Sequence, residues 1–259
     1  MSDTAHQVMK QDPAFEYLLR LGDNCLVLGH RVSEWCGHAP ALEEDLALAN
    51  VALDLIGQAR LWLGLAGEVE GKGRDADQLA YLRDTREFRN LLLVEQKNGD
   101  FGMTIARQFL FDAWHHLLLG ALQRSSDARI AGIAEKAIKE VTYHLERSGE
   151  WVVRLGDGTE ESHRRVRKAF DLLWPYTGEL FETDEVEETM ARSGAGTGLA
   201  RLREPWLAEV AAILGEATLP VPQSGWMQRG GKRGIHSEHL GYLLAELQFL
   251  QRAYPGATW

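Results

Sequence analysis

The sequence predicts an all-α protein whose centre is a bundle of four long helices. In the first 156 residues, four long segments place apolar side chains at three- and four-residue steps, the period of a helix with one buried face. Short or moderate connections join these segments, as they do in helix bundles. No region alternates apolar and polar residues convincingly, as a half-buried strand would.

The four long helices are predicted at about 13–36, 42–66, 101–124 and 128–155. Pro13 suits the first turn of the first helix, because the N–H that proline lacks would have no partner there. The second helix is apolar on nearly every side, so we expect it in the middle of the protein. Ser126 or Asp127 caps the start of the fourth helix.

Shorter helices are predicted at 77–82, 86–94, 160–173, 180–190, 199–214 and 235–253. Without the two short pieces at 77–82 and 86–94, the prediction amounts to about seven or eight helices. We expect a flexible polar N-terminus at 1–12 and a single domain at 13–259. Within that domain the core bundle spans about 13–156, and additional helices follow at 157–259.

Composition narrows the possible partners and the compartment. The formal net charge of -10 argues against nucleic acid or an anionic membrane as a general partner. No segment reads as a signal peptide, and no apolar run approaches the roughly 20 residues that cross a bilayer. Cys25 and Cys36 lie about 16 Å apart along one predicted helix, too far to form a disulfide. These features favour a cytoplasmic protein.

Polar residues interrupt the apolar stripes of all four long helices near their midpoints. They are Asp23, His30, Asn50, Asp54, Gln58, Gln108, Asp112, His115 and His144. A bundle centre lined with carboxylates and imidazoles is how carboxylate-bridged di-iron proteins are built, with Glu-x-x-His pairs pointing inward. These residues therefore raise the possibility of a metal site.

The ligand set for such a site is incomplete. Asp112 and His115 have the right spacing, but the residue three before His144 is Val141, and the amide of Gln58 is a poor ligand for iron. We therefore favour a buried network of hydrogen-bonded side chains over a working dinuclear site. In that network His144 is predicted to bond to a carboxylate such as Asp112 or Asp54.

Two further patterns lie near the C-terminus. His236 and His239 have a spacing that could bind a metal, but a helix N-terminus exposed beside glycines explains them equally well. Arg229, Lys232 and Arg233 form a basic loop, which we interpret as solvated. A loop of this kind could also contact a phosphate or an acidic partner surface.

Six runs of sequence match a family pattern: LGDNCLVL at 21–28, EWCGHAP at 34–40, DLALAN at 45–50, LDLIGQAR at 53–60, NLLLVEQ at 90–96 and GGKRGIHSEHL at 230–240. In these runs the chain resembles the C subunits of the bacterial phenylacetyl-CoA epoxidase, the ring-1,2-epoxidase of aerobic phenylacetate breakdown. The resemblance extends from about residue 15 to Trp259.

This resemblance implies a ferritin-like helical bundle and membership of a multicomponent monooxygenase. In such an enzyme the di-iron centre lies in the A subunit, and the C subunit is a related, catalytically silent partner. A B subunit joins the assembly, and a separate reductase with flavin and an iron–sulfur cluster supplies electrons. The complex acts on phenylacetyl-CoA, so no nucleic acid or membrane partner is implied.

The resemblance also locates the lost ligands. The catalytic relative has Glu-x-x-His where this chain has Leu55 and Gln58, and again where it has Val141 and His144, while Asp112 matches a retained aspartate. We therefore expect this chain to have no catalytic, cofactor-binding or metal-binding residue. Its expected role is structural, with apolar faces of the first and second helices packed against the A subunit.

Two alternatives remain open from the residues. One is a self-sufficient di-iron oxygenase that uses Asp54, Asp112, His115, Glu140 and His144 in a non-standard arrangement. The other is a helical protein that binds a coenzyme A thioester, with the basic loop at 229–233 on the phosphates.

Overall fold

A computed structural model of the protein describes residues 12–257, which form ten α-helices and no strand. The helices are α1 (Pro13–Ser33), α2 (Leu42–Glu70), α3 (Ala76–Tyr81), α4 (Phe101–Leu122), α5 (Ala128–Gly156), α6 (Glu160–Leu173), α7 (Glu185–Arg192), α8 (Arg203–Glu216), α9 (Glu238–Leu247) and α10 (Phe249–Ala253). The predicted all-α class is confirmed. Apart from Asp12, the predicted flexible terminus lies outside the described residues.

Helices α1, α2, α4 and α5 form the predicted bundle as two antiparallel pairs. Helices α1 and α2 approach closely at Gly22, where a Cβ atom would lie 2.7 Å from the side chain of Leu63. Near the other end of the pair, a Cβ on Gly29 would lie 3.3 Å from the carbonyl oxygen of Ala52. A side chain at Gly22 would force Leu63 to move, and one at Gly29 would be tighter than usual contacts, so the two glycines favour the close packing of α1 on α2. The arrangement is consistent with the ferritin-like bundle that the resemblance implies.

The centre of the protein is α1, not α2 as the hydropathy pattern predicts. Every residue from Phe15 to Gly29 is buried, because α2, α7, α9 and the segment before α4 all cover this helix. The sequence pattern did not predict this burial, because the charged residues of α1 are neutralised by partners far away in the sequence. Arg20, for example, donates to Asp184 at 2.7 Å and to Glu187 at 3.1 Å. Helix α1 therefore has no free apolar face to offer to another subunit.

Helix α2, in contrast, is exposed on one apolar side. Its solvent-facing leucines are 71%, 58%, 66% and 36% exposed, and they are Leu42, Leu46, Leu53 and Leu61 in that order. They recur at helical spacing and form one stripe, which we call the α2 leucine stripe. The helix packs its other sides on α1 and α5.

By length and composition, α2 is also apolar enough to span a membrane, since it has 29 residues and contains an 18-residue window with a mean hydropathy of 1.2. The sequence pattern had predicted no segment of this kind. Core helices of soluble proteins meet the same criterion, and 44% of this apolar window is buried within the protein.

Several helix boundaries differ from the predictions. The helix predicted at 86–94 is wrong: only Thr85–Glu87 forms a short 3₁₀ turn, and the rest is an irregular segment. The helix predicted at 235–253 begins at Glu238 and breaks at Gln248, whose side chain donates to the carbonyl oxygens of Ala80 and Arg83. The piece predicted at 180–190 begins only at Glu185. Tertiary hydrogen bonds override the local pattern at these points.

Candidate functional site

The polar centre of the bundle is organised by a histidine–aspartate pair between α5 and α2. The Nε2 atom of His144 lies 3.0 Å from Oδ2 of Asp54. The imidazole is fully buried, whereas the aspartate side chain is 36% exposed. The bond is one of the two that the sequence predicts for His144. Its other ring nitrogen, Nδ1, has no hydrogen-bond partner among the described residues.

Asp112 on α4 takes different partners. Its Oδ1 accepts from Gln108 Nε2 at 2.7 Å, and its Oδ2 accepts from Ser148 Oγ at 2.9 Å. The residue is fully buried, and burial raises the pKa of its carboxyl group to about 6. The nearby His144 and the two hydrogen bonds act in the opposite direction on that pKa. Asp112 therefore links α4 to α5 through the neutral hydroxyl of Ser148, whereas Gln108 lies on its own helix.

A second pair of side chains joins α2 to α5 one turn away. Gln58 Nε2 donates to Oε2 of Glu140 at 2.9 Å, and its Oε1 accepts a weak bond from the thiol of Cys25 at 3.8 Å. Further along, Arg147 forms an ion pair with Glu44. These contacts use polar groups to hold α5 in register against α2.

The remaining predicted members of the polar cluster do not join this network. His115 is buried against Phe111 and has an unpartnered Nδ1, and burial lowers its pKa to about 3. Asp23 pairs with Arg83 on the far side of α1, and His30 is half-buried, with a pKa lowered to about 4 by burial. Asn50 is exposed, so its predicted burial is wrong. The sequence did not reveal the exposure of Asn50, because its apolar neighbours on α2 suggested a buried helix although part of that helix faces solvent.

The residues present do not fit a dinuclear iron centre. Leu55 and Val141 are fully buried and apolar at the two positions where the resemblance places carboxylates. Gln58 and His144 are already bonded to carboxylates of the opposite helix. Within residues 12–257, no group of three or more His, Cys, Asp or Glu side chains is placed to hold a metal ion. Carboxylate bridging of two cations therefore lacks its donors.

The C-terminal patterns are buried more deeply than predicted. The side chain of His236 is only 1% exposed, with Nδ1 at 3.0 Å from Glu95 and Nε2 at 3.0 Å from the carbonyl oxygen of Phe88. Lys232 is buried and donates to Glu187 at 3.3 Å. The prediction of an exposed helix start is therefore wrong at His236, and the prediction of a solvated loop is wrong at Lys232. The loop at 229–233 does not present three free cations.

Two buried carboxylates that the sequence pattern does not reveal hold this segment in place. Glu95 accepts the backbone N–H of Ser237 at 2.7 Å, in addition to its contact with His236. Glu179 accepts the backbone N–H groups of Leu92 and Gly230, both at 3.0 Å. No periodic signal marks either residue, because both lie outside long helices. The nearest signal in the sequence is that Glu95 lies in the run at 90–96 that matches the family pattern.

The buried carboxyl group of Asp112 leads to a pH prediction. Its folded pKa of about 6 lies above the ordinary value of 3.8, so between these values the folded chain retains a proton that the unfolded chain has released. The contribution of Asp112 to the free energy of unfolding should therefore fall by about 2–3 kcal/mol as pH rises through that window. His30 and His115, whose pKa values are lowered by burial, contribute the opposite slope in both proteins, so the test is a difference. In urea denaturation between about pH 4 and pH 7, the free energy of unfolding of Asp112→Asn relative to that of the wild type should rise by this amount as pH rises.

The control for this experiment is Asp171→Asn, which changes an exposed aspartate on α6. It should retain the wild-type pH slope. Equal slopes in Asp112→Asn and the wild type would contradict the prediction.

Comparisons with known proteins agree with the sequence motifs. The family model described as "Phenylacetic acid catabolic protein" matches residues 1–259. The chain is also 54% identical over 243 residues to an Escherichia coli (strain K12) protein, which is named as the C subunit of 1,2-phenylacetyl-CoA epoxidase. That alignment covers 94% of this chain and 98% of the relative.

Proposed function

The chain belongs to the phenylacetic acid catabolic protein family, and from this we propose that it is a non-catalytic, structural C subunit of a phenylacetyl-CoA epoxidase. One observation carries the proposal. The two bundle positions expected to supply bridging carboxylates are filled by buried Leu55 and Val141. The polar groups around them are bonded to one another across α2 and α5.

The chemistry of this centre supports a structural role. Activation of oxygen at a di-iron site needs about four carboxylates and two histidines around open coordination positions. Here Asp54, Gln58, Glu140 and His144 instead form hydrogen bonds to one another across α2 and α5. The buried imidazole of His144 would lose its hydrogen-bond partner if Asp54 were removed, at a cost in free energy, so the pair helps to specify how α5 packs on α2.

The proposed partner is the di-iron A subunit, and the proposed contact is the α2 leucine stripe. An exposed row of leucines this long is unusual on a monomer and typical of a protein interface. Since α1 is covered by its own chain, α2 is the one of the two helices that can offer the apolar face expected from their composition. In the proposed assembly a B subunit and a flavin and iron–sulfur reductase complete a cytoplasmic enzyme that acts on phenylacetyl-CoA.

Iron analysis of separated subunits tests this proposal. The chain is co-expressed with the A subunit, the two are co-purified and separated, and iron is measured in each. We expect about two iron ions per A subunit and a negligible amount in this chain. We also expect the isolated chain to leave phenylacetyl-CoA unoxidised in the presence of reductase and oxygen.

The A subunit serves as the matched control, because it shows whether the separation itself removes iron. Iron near two per chain here, together with epoxidation by the isolated chain, would overturn the proposal in favour of a self-sufficient oxygenase. Failure of the two chains to co-purify would overturn the proposed partnership.

A further inference from the structure

A groove of about 610 Å³ lies between α5 and α8, on a different flank of α5 from the side that contacts α2. Its apolar lining comes from Phe109, Leu145, Val153 and Ile213, together with the bare backbone of Gly149. The volume falls within the range of about 300–1,000 Å³ found for binding pockets. Neither the polar centre nor the α2 leucine stripe includes this groove.

Gly149 is the first sign that the groove is built to stay open. A Cβ atom there would lie 3.7 Å from Ile213 Cδ1 and 3.7 Å from Phe109 Cε2, which are ordinary contact distances. The fold would therefore accept alanine, unlike at Gly22, where a Cβ would clash at 2.7 Å. Glycine weakens a helix interior, and here no close helix packing requires it. Its effect is to leave the floor of the groove free of a side chain.

The rim of the groove is strongly acidic. Glu146 and Glu150 line it from α5, and Glu209 and Glu216 line it from α8. All four are exposed. The single guanidinium in the lining, that of Arg154, pairs with Glu150 at 3.4 Å. In the described part of the chain, no cation forms an ion pair with the other three carboxylates.

We propose that this groove docks a basic amphipathic helix of a partner protein. Apolar side chains of that helix enter the floor between α5 and α8, and its lysine or arginine side chains meet the four carboxylates. A trough between two helices with an apolar floor is the usual receptor in helix-in-groove recognition. The excess of negative charge selects a cationic partner and speeds its approach. The proposal does not depend on the function proposed above.

A peptide titration of the full chain tests the proposal. The probe is a fluorescein-labelled helical peptide with leucine at positions i, i+3, i+4 and i+7 and lysine elsewhere. The matched probe has glutamate in place of every lysine. Fluorescence anisotropy should detect binding of the lysine peptide only, and that binding should weaken as salt screens the rim.

Variants locate the binding site. Gly149→Leu fills the floor and should weaken binding by about tenfold or more, whereas Gly149→Ala should bind nearly as the wild type does. The charge reversal Glu209→Lys/Glu216→Lys, at two exposed positions, should abolish binding without disturbing the core. Leu53→Asp, in the α2 leucine stripe, should leave peptide binding unchanged and so separates the two surfaces.

If circular dichroism shows that Gly149→Leu does not fold, the charge-reversed variant still tests the proposal, because its two substitutions are at exposed positions. Three results would each overturn the proposal. They are no binding by the wild type, equal binding of the glutamate peptide, and unchanged binding by the charge-reversed chain.

Discussion

Replacing Leu46 and Leu53 with aspartate is expected to weaken sharply the proposed binding of the chain to a di-iron A subunit and to leave its own fold intact. The two side chains are 58% and 66% exposed in the isolated chain, so their replacement removes no internal packing of consequence. In the proposed interface, however, each aspartate would bury an unpaired charge where an apolar anchor is expected. Loss of two central anchors should weaken binding by at least about a hundredfold.

The measurement is a titration of purified A subunit with each form of the chain, by calorimetry or by co-elution in size-exclusion chromatography. Leu172→Asp is the control, because Leu172 is 52% exposed but lies on α6. It should bind as the wild type does. Wild-type affinity in the double variant, or an equal loss in the control, would contradict the assignment of the interface to α2.

Asp23→Ala will lower the free energy of unfolding by about 3–5 kcal/mol, the loss typical of a broken buried ion pair. Asp23 is fully buried and Arg83 is 2% exposed. One of the two guanidinium contacts measures 3.0 Å, and the same carboxylate accepts the backbone N–H of Arg89 at 2.8 Å. Removal of the carboxylate leaves a buried cation and a buried N–H group without their partner.

Urea denaturation monitored by circular dichroism gives this free energy. The matched control is Glu188→Gln, which breaks an exposed ion pair at 3.6 Å to Arg192 on α7. That pair should contribute less than about 1 kcal/mol. A similar small loss in Asp23→Ala would show that Arg83 finds a new partner or reaches solvent.

Apolar periodicity was sufficient to predict the helix bundle. The four long helices begin within a residue of their predicted starts, because caps and breaks such as Asp127 and Gly156 act within a few residues of the chain. The prediction that the metal ligands are incomplete also comes from the sequence, since it depends on the identities of Leu55, Gln58 and Val141. The bond from His144 to a carboxylate followed from the cost of burying an unpaired imidazole.

The three-dimensional arrangement could not be read in this way. Which helix lies at the centre depends on contacts between residues far apart in the sequence. Arg20 and Asp23 make α1 look partly exposed, yet their partners at Asp184 and Arg83 allow it to be buried completely. The high apolar content of α2 hides its leucine stripe, since hydropathy cannot distinguish a core face from an interface.

Local rules therefore account for where helices form and which side chains stand at each position of the bundle. Long-range pairing accounts for which surfaces remain open to partners, because burial of a charged or apolar side chain depends on what the distant chain brings against it. The groove at Gly149 belongs to this second class. Its apolar floor and acidic rim come together only where α5 and α8 pack side by side.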